Sequence, residues 1–191
     1  MKKVIQVLRF FVSITLLVFF AAIAHAAILE VGEGKLYTSI QTAITDAVNG
    51  DTVLVYDGTY VENIYFMGKA ITVRSVNGAA GTIIDGNASG PVVTFNFGET
   101  SRSVLDGFTI TNGNNSGSGG GLDIMYSPTI TNCTITGNKA AYYGGGIFCY
   151  GSCNPTITNS TITGNTAFNG GGIYFVSSSA IIANSTRSEE H

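Results

Sequence analysis

Three glycine-led tetrads constrain this 191-residue chain more than any other feature. Gly119-Gly120-Gly121-Leu122, Gly144-Gly145-Gly146-Ile147 and Gly170-Gly171-Gly172-Ile173 recur at intervals of 25 and 26 residues. Between them runs Pro128-Thr129-Ile130-Thr131-Asn132-Cys133-Thr134-Ile135-Thr136-Gly137-Asn138, which returns as Pro155-Thr156-Ile157-Thr158-Asn159-Ser160-Thr161-Ile162-Thr163-Gly164-Asn165. A third copy begins at Ile181-Ile182-Ala183-Asn184-Ser185-Thr186 and breaks off, and a looser one stands earlier at Phe108-Thr109-Ile110-Thr111. Recurrence at a fixed period marks a stacked architecture whose units cannot bury their apolar faces alone. Each unit holds three short strand-like runs and no helical stripe, and it is shorter than the roughly 40 residues of a propeller blade. Glycine or asparagine stands at every corner. A coil of parallel strands fits, each turn pairing with the next at about 4.8 Å.

Composition agrees. Glycine contributes 25 residues, threonine 22 and leucine only 8, while tryptophan is absent. That is poor in helix formers and rich in residues suited to a pleated surface. The charged fraction is 11%, which with the missing leucines excludes a coiled coil, a helical bundle and a polybasic nucleic-acid binder.

Alternation along the strands assigns the inside of the coil. Leu122, Ile124, Ile147, Cys149, Ile173 and Phe175 point inward, leaving Asp123, Phe148 and Tyr174 outward in one column. Asn132, Asn159 and Asn184 recur 27 and 25 residues apart at one corner. Stacked amides there would donate to one neighbour and accept from the other, so the three are expected to form a buried structural ladder. Each also begins an Asn-x-Thr triplet, and N-glycosylation is the competing reading.

Ahead of the repeats, Thr38-Ser39-Ile40-Gln41 fits a capping box with Thr38 as N-cap. Ile40, Ala43, Ile44, Ala47 and Val48 then form one apolar stripe, ended by Asn49-Gly50. These features predict a helix over 39–48 inside an N-terminal cap spanning 27–50. Rungs of the coil follow over 51–186, with clear repeats over 108–186.

The first 26 residues read as a targeting segment. Lys2 and Lys3 precede an apolar stretch whose uncharged part, Phe10 to Ala24, is shorter than the roughly 20 residues of a membrane span. It ends in Ala24-His25-Ala26, which a signal peptidase would accept. A retained anchor is the alternative. Beyond residue 26, six basic residues face twelve acidic ones. A negative balance opposes nucleic acid or anionic lipid as a partner. The mature chain is expected to carry no membrane span and to be secreted, periplasmic or at the cell surface.

Three cysteines in an exported chain permit one disulfide, with Cys149 and Cys153 as the near pair and Cys133 as a small buried filler. No zinc-ligand spacing is present, and no metal or cofactor is expected.

Two stretches carry a family resemblance. One is Tyr37-Thr38-Ser39-Ile40-Gln41-Thr42-Ala43-Ile44 with Gly50-Asp51-Thr52-Val53-Leu54-Val55 and Gly58-Thr59-Tyr60-Val61-Glu62. The other is the Gly-Gly-Gly-Ile and Ile-Thr-Asn-x-Thr-Ile-Thr-Gly-Asn repeat. Together they resemble the right-handed parallel β-helix proteins of the pectin-lyase-like superfamily and, more loosely, chlamydial polymorphic outer-membrane proteins. The resemblance implies an all-β right-handed parallel β-helix (a solenoid) with an N-terminal capping α-helix. It implies little about function, since that fold hosts lyases, hydrolases, esterases, adhesins and fibres. The tail 187–191 reads as non-native, and the coil as continuing in a longer protein.

Acidic candidates for chemistry are Asp85, Asp106 and Asp123, with Arg74 and Arg102 as bases or clamps. Asp85 and Asp106, 21 residues apart, are expected near each other on one surface, though each precedes glycine and reads first as a turn residue. No lyase, hydrolase or esterase motif of the superfamily matches. The expectation is therefore a structural or adhesive surface module contacting polysaccharide or a cell-surface glycan, with Phe148, Tyr174 and Asp123 either facing the sugar or packing under a neighbouring loop. The alternative is a fragment of a polysaccharide lyase or glycoside hydrolase, with calcium required only in the lyase case.

Overall fold

The computed structural model describes residues 26–188. The targeting segment lies outside these residues apart from Ala26, as do the last three residues of the tail. Strand, corner, strand, corner, strand: each turn of the chain lays one short strand in each of three sheets, and about six turns stack into a solenoid. The seven-stranded sheet runs from Ile28–Val31 through Thr52–Val55, Thr72–Ser75, Val104–Asp106, Thr129–Thr131 and Thr156–Thr158 to Ile181–Ala183. The six-stranded sheet runs from Gly58–Val61 to Thr186–Arg187, and the five-stranded sheet from Ile64–Tyr65 to Ile173–Val176. Every pairing between these strands is parallel and in register. Arg187 and Ser188, the described part of the tail, continue the last rung: Arg187 pairs with Ile162 and the Ser188 N–H donates to Ile162 O.

Period-2 alternation in the Thr-Ile-Thr strands decides what is inside. In the seven-stranded sheet Val53, Val73, Leu105, Ile130 and Ile157 stack as one fully buried column. In the six-stranded sheet Ile84, Ile110, Ile135 and Ile162 do the same. Threonine flanks Ile110, Ile130, Ile135, Ile157 and Ile162 because its β-branch suits the pleat while its hydroxyl tolerates water.

The glycine tetrads are explained by backbone crowding. Gly120, Gly145 and Gly171 stack at a corner where successive turns touch main chain to main chain. A methyl on Gly145 would lie 2.6 Å from Gly171 O and would also collide with Thr166 O. The leading glycines Gly119, Gly144 and Gly170 hold φ of +75°, +61° and +62°, which side-chain-bearing residues rarely adopt.

The corner asparagines correct an expectation. Asn132, Asn159 and Asn184 have φ of 53°, 51° and 50°, as a one-residue corner requires, but their side chains are exposed. A left-handed residue at this corner turns its side chain out, and the next, small residue turns in. Cys133 and Ser160 fill the interior, with the Cys133 N–H donating to Ser160 Oγ at 3.2 Å. The buried amide ladder runs instead through Asn138 and Asn165, which are 1% and 0% exposed. Asn138 Nδ2 donates to Asn165 Oδ1 at 3.0 Å and to Ile110 O at 2.9 Å, and Asn165 Nδ2 donates to Ile135 O at 2.8 Å.

One helix, Ile40–Asp46, packs Ile40, Ala43 and Ile44 against the first strands. It is shorter than 39–48, and its N-cap is Ser39 rather than Thr38. Gln41 does not close a capping box: its Oε1 accepts from the Tyr65 N–H at 2.7 Å. Glu62 takes over, accepting from the Ile40 N–H at 2.8 Å, the Gln41 N–H at 3.0 Å and Ser39 Oγ at 2.8 Å. At the other end Lys69 Nζ donates to Ile44 O, Thr45 O and Ala47 O at 2.7–2.8 Å. Lys69 thus fills the orphan-carbonyl role assigned above to Asn49-Gly50.

A candidate site on the outer face of the five-stranded sheet

The parallel register brings Tyr65, Thr94, Asp123, Phe148 and Tyr174 into one outward column. Alternation along the strand places Tyr150 beside Phe148, two residues on. Tyr142 and Tyr143 arrive from the segment before Gly144, with Tyr143 bridged to Asn169 of the next turn. Five rings form a strip: Tyr143 lies 4.6 Å from Tyr174, Phe148 lies 5.2 Å from Tyr150 and 6.4 Å from Tyr174, and Tyr142 sits 6.5 Å from Tyr143. Phe148 and its neighbours Tyr143, Tyr150 and Tyr174 are tilted from one another by 19–30°. The result is a shallow surface of ring faces and edges, not a closed pocket. Tyr142 and Tyr143 are exposed, while Phe148, Tyr150 and Tyr174 are half-buried.

Asp123 closes one end of this strip. Its Oδ1 is buried and has no hydrogen-bond partner. Burial pushes its carboxyl up to about 6, because a charge in a poorly solvated place is disfavoured. Tyr150, whose hydroxyl donates to Met125 Sδ at 3.0 Å, has its phenol raised by burial and then by the nearby Asp123 charge. A half-buried carboxyl therefore stands beside flat apolar rings, its Oδ1 turned away from solvent.

The other candidates are scattered. Asp85 belongs to the six-stranded sheet, Asp106 to the seven-stranded sheet and Asp123 to the five-stranded sheet, so Asp85 and Asp106 do not share the surface expected of them. A 21-residue interval equals roughly one turn only if both residues occupy the same strand of the turn, and they do not. Each has a local partner instead: Asp85 Oδ1 accepts from Asn112 Nδ2 at 2.8 Å, and Asp106 Oδ1 from Asn132 Nδ2 at 2.7 Å. Arg74 is exposed and in register with Asp106, whereas Arg102 lies in a turn lining a groove with Asn49, Thr72 and Ser101. No group of three or more His, Cys, Asp or Glu side chains is placed to hold a metal ion among the described residues. Cys149 and Cys153 are joined in a disulfide, Cα atoms 6.3 Å apart, and Cys133 is free and buried, its thiol pushed up to about 11 by burial.

Sequence reasoning missed Tyr142, Tyr143 and Tyr150. Tyr150 was readable from the alternation that placed Phe148 outward. Tyr142 has an aromatic counterpart in Phe168, two residues before Gly170, but Tyr143 has none before the other glycine tetrads.

The stacked strands, inward columns and corner residues define a parallel β-solenoid, and the chain belongs to the family of right-handed β-helix regions, whose profile matches residues 28–187. Among individual proteins, a cell surface glycoprotein of Methanothermus fervidus is 31% identical over 136 residues. That alignment covers 65% of this chain and 21% of the relative, so the chain corresponds to a minor part of it. No solved structure matches the chain. No helix among the described residues is long and apolar enough to cross a membrane.

Proposed function

We propose that this chain is the surface-displayed β-helix module of an exported protein, structural or adhesive in role, and that the ring strip beside Asp123 is where it contacts polysaccharide. The observation that carries this reading is the run of Tyr142, Tyr143, Tyr174, Phe148 and Tyr150 across successive turns, with the half-buried Asp123 at its edge. Sugar rings present apolar C–H faces that pack on aromatic faces and hydroxyls that donate to a carboxylate. A rigid sheet holds both in place at little entropic cost. The N-terminal Lys2-Lys3 and apolar stretch, together with the similarity to a cell surface glycoprotein, support location outside the cytoplasm. The polysaccharide-cleaving alternative lacks comparable support, since its aspartates stand on three separate sheets.

Affinity electrophoresis of the purified chain through a neutral glucan and through a uronic-acid polymer tests the reading. Retardation by the neutral polymer is expected, weakened roughly tenfold, or about 1.4 kcal/mol, by Phe148→Ala and by Tyr174→Ala. Equal mobility of the parent chain with and without either polymer would refute the contact. Release of unsaturated product from the uronic-acid polymer with calcium would instead establish the enzyme.

A further inference from the structure

Asn132, Asn159 and Asn184 are free of the structural duty expected of them, because the buried ladder is built by Asn138 and Asn165. What remains is a column of exposed amides on the corner between the seven- and six-stranded sheets. That corner does not border the five-stranded sheet that carries the ring strip. In each triplet the middle residue turns inward, Cys133 and Ser160 being 2% exposed, so Asn and Thr lie on the same outer side. Thr161 and Thr186 are exposed. Asn132 is engaged, its Nδ2 donating to Asp106 Oδ1 at 2.7 Å. Neither the Asn159 nor the Asn184 side-chain amide has a hydrogen-bond partner among the described residues.

We infer that the Asn159/Asn184 pair is an N-glycan attachment site that accepts one oligosaccharide at a time. The donor class is an oligosaccharide joined through its anomeric carbon to a polyprenyl diphosphate. The side-chain amide nitrogen forms a bond to that carbon and loses one proton. The carbon–oxygen bond to the diphosphate breaks, and the lipid diphosphate leaves with the electron pair. Both triplets satisfy the Asn-x-Thr acceptor rule with a middle residue other than proline. Asn154-Pro155-Thr156, nearby and also exposed, fails it. Single occupancy follows from the fold: the two asparagines sit on adjacent rungs about 4.8 Å apart, too close for two branched sugar chains side by side. The attached chain would project from one edge of the rod, leaving the aromatic face clear.

In the organism this modification rests on the extracytoplasmic location proposed above, but the chemistry can be tested without it. The purified full chain is incubated with a lipid-linked oligosaccharide and an oligosaccharyltransferase that requires nothing beyond Asn-x-Ser/Thr. Products are then read by intact mass and peptide mapping. The expected result, by peptide mapping, is one added oligosaccharide at this corner, divided between Asn159 and Asn184, with Asn132 unmodified, whatever is added at Asn87 and Asn114. Asn159→Gln and Thr161→Ala should each move it wholly to Asn184, Thr161→Ser should retain it at Asn159, and Asn159→Gln with Asn184→Gln should abolish it at this corner. Thr161→Ala leaves the asparagine itself intact, so its effect cannot come from a structural role of Asn159. The inference is overturned if the folded chain takes no sugar at either residue while the reduced, denatured chain does. It is also overturned if both residues are occupied in one molecule, or if sugar appears only at the other exposed acceptors, Asn87 and Asn114. Fractionation of the native cells would separately decide the location.

Discussion

The first turns and the repeated turns solve one problem, buried backbone N–H groups at corners, with different chemistry. Near the N-terminus carboxylates do it. Asp51, 5% exposed, accepts from the Ala27 and Val48 N–H groups, both at 2.8 Å, and Glu99, 2% exposed, accepts from those of Gly68 and Phe97, both at 2.9 Å. In the repeated turns neutral groups do it: Asn138 and Asn165 stack, and Ser160 and Ser185 accept from the N–H groups of Cys133 and Ser160. A carboxylate binds N–H groups more strongly than an amide does, since the bond is charge-assisted. It cannot be repeated every turn, however. Two such charges one rung apart would repel by about 3 kcal/mol at an effective dielectric near 20. An amide has both a donor and an acceptor and can be stacked indefinitely. One-off corners can afford charge, and repeated corners cannot.

The largest effect is expected where the repeat brings backbone against backbone. Gly145→Ala should destabilise the chain by more than about 3 kcal/mol, because the obstacles are main-chain oxygens that cannot rotate away. Gly78, unlike Gly145, has positive φ, +86°, and a methyl there meets nothing within 4 Å. Gly78→Ala should therefore cost only the conformational strain, about 1–2 kcal/mol. Urea unfolding of both variants checks the difference. Equal losses would mean that the main-chain contact at Gly145 costs no more than the left-handed strain at Gly78.

Next in size is a charge placed in the neutral column. Asn165→Asp removes the donors to Ile135 O and Thr163 O and sets a carboxylate among their oxygens. Unsatisfied buried groups of this kind cost about 1–3 kcal/mol each, so a loss near 3 kcal/mol is expected at pH 7. Asn159→Asp, on the exposed corner, should change stability by no more than about 0.5 kcal/mol. If the two variants unfolded at the same urea concentration, the distinction between the buried and exposed asparagine columns would be lost.

Legibility followed the same divide. The inner columns were readable because isoleucine at every second residue, repeated each turn, leaves one consistent inside. Recurrence showed that Asn132 and Asn159 share a corner but not which way they face, since inward and outward columns recur equally well. Only the left-handed backbone settles the direction: held by Asn132 and Asn159 themselves it sends their side chains out, whereas at the next corner Gly137 and Gly164 hold it and Asn138 and Asn165 turn in. The cap was harder still. Glu62 serves the helix across 21–23 residues and Lys69 across 22–25, in turns with no repeat to expose the relationship. The candidate site was half visible: the strand register yields Phe148, Tyr174 and Asp123, whereas Tyr143 has no aromatic equivalent in the other turns.

Asp123 tests the comparison at its margin, as a carboxyl in the repeated region without the N–H partners that Asp51 and Glu99 enjoy. Its folded-state value, raised from 3.8 to about 6, means that folding disfavours the ionised form. Below about pH 3 the group is neutral in both folded and unfolded chains and costs nothing. Between about pH 4 and 6 the unfolded chain releases the proton more readily, so stability should fall as pH rises and then level off. The half-buried position limits the penalty to about 2 kcal/mol. Asp123→Asn should recover that amount at pH 7, recover nothing at pH 3, and flatten the profile between them. Asp51→Asn should do the opposite, lowering stability at pH 7, because that carboxylate is bonded to two backbone N–H groups. Unfolding curves for both variants across this pH range would show whether partners or burial decide the fate of a carboxyl in the coil. An Asp123→Asn curve parallel to that of the parent would remove Asp123 from the titrating groups and leave its buried Oδ1 as a matter of packing alone.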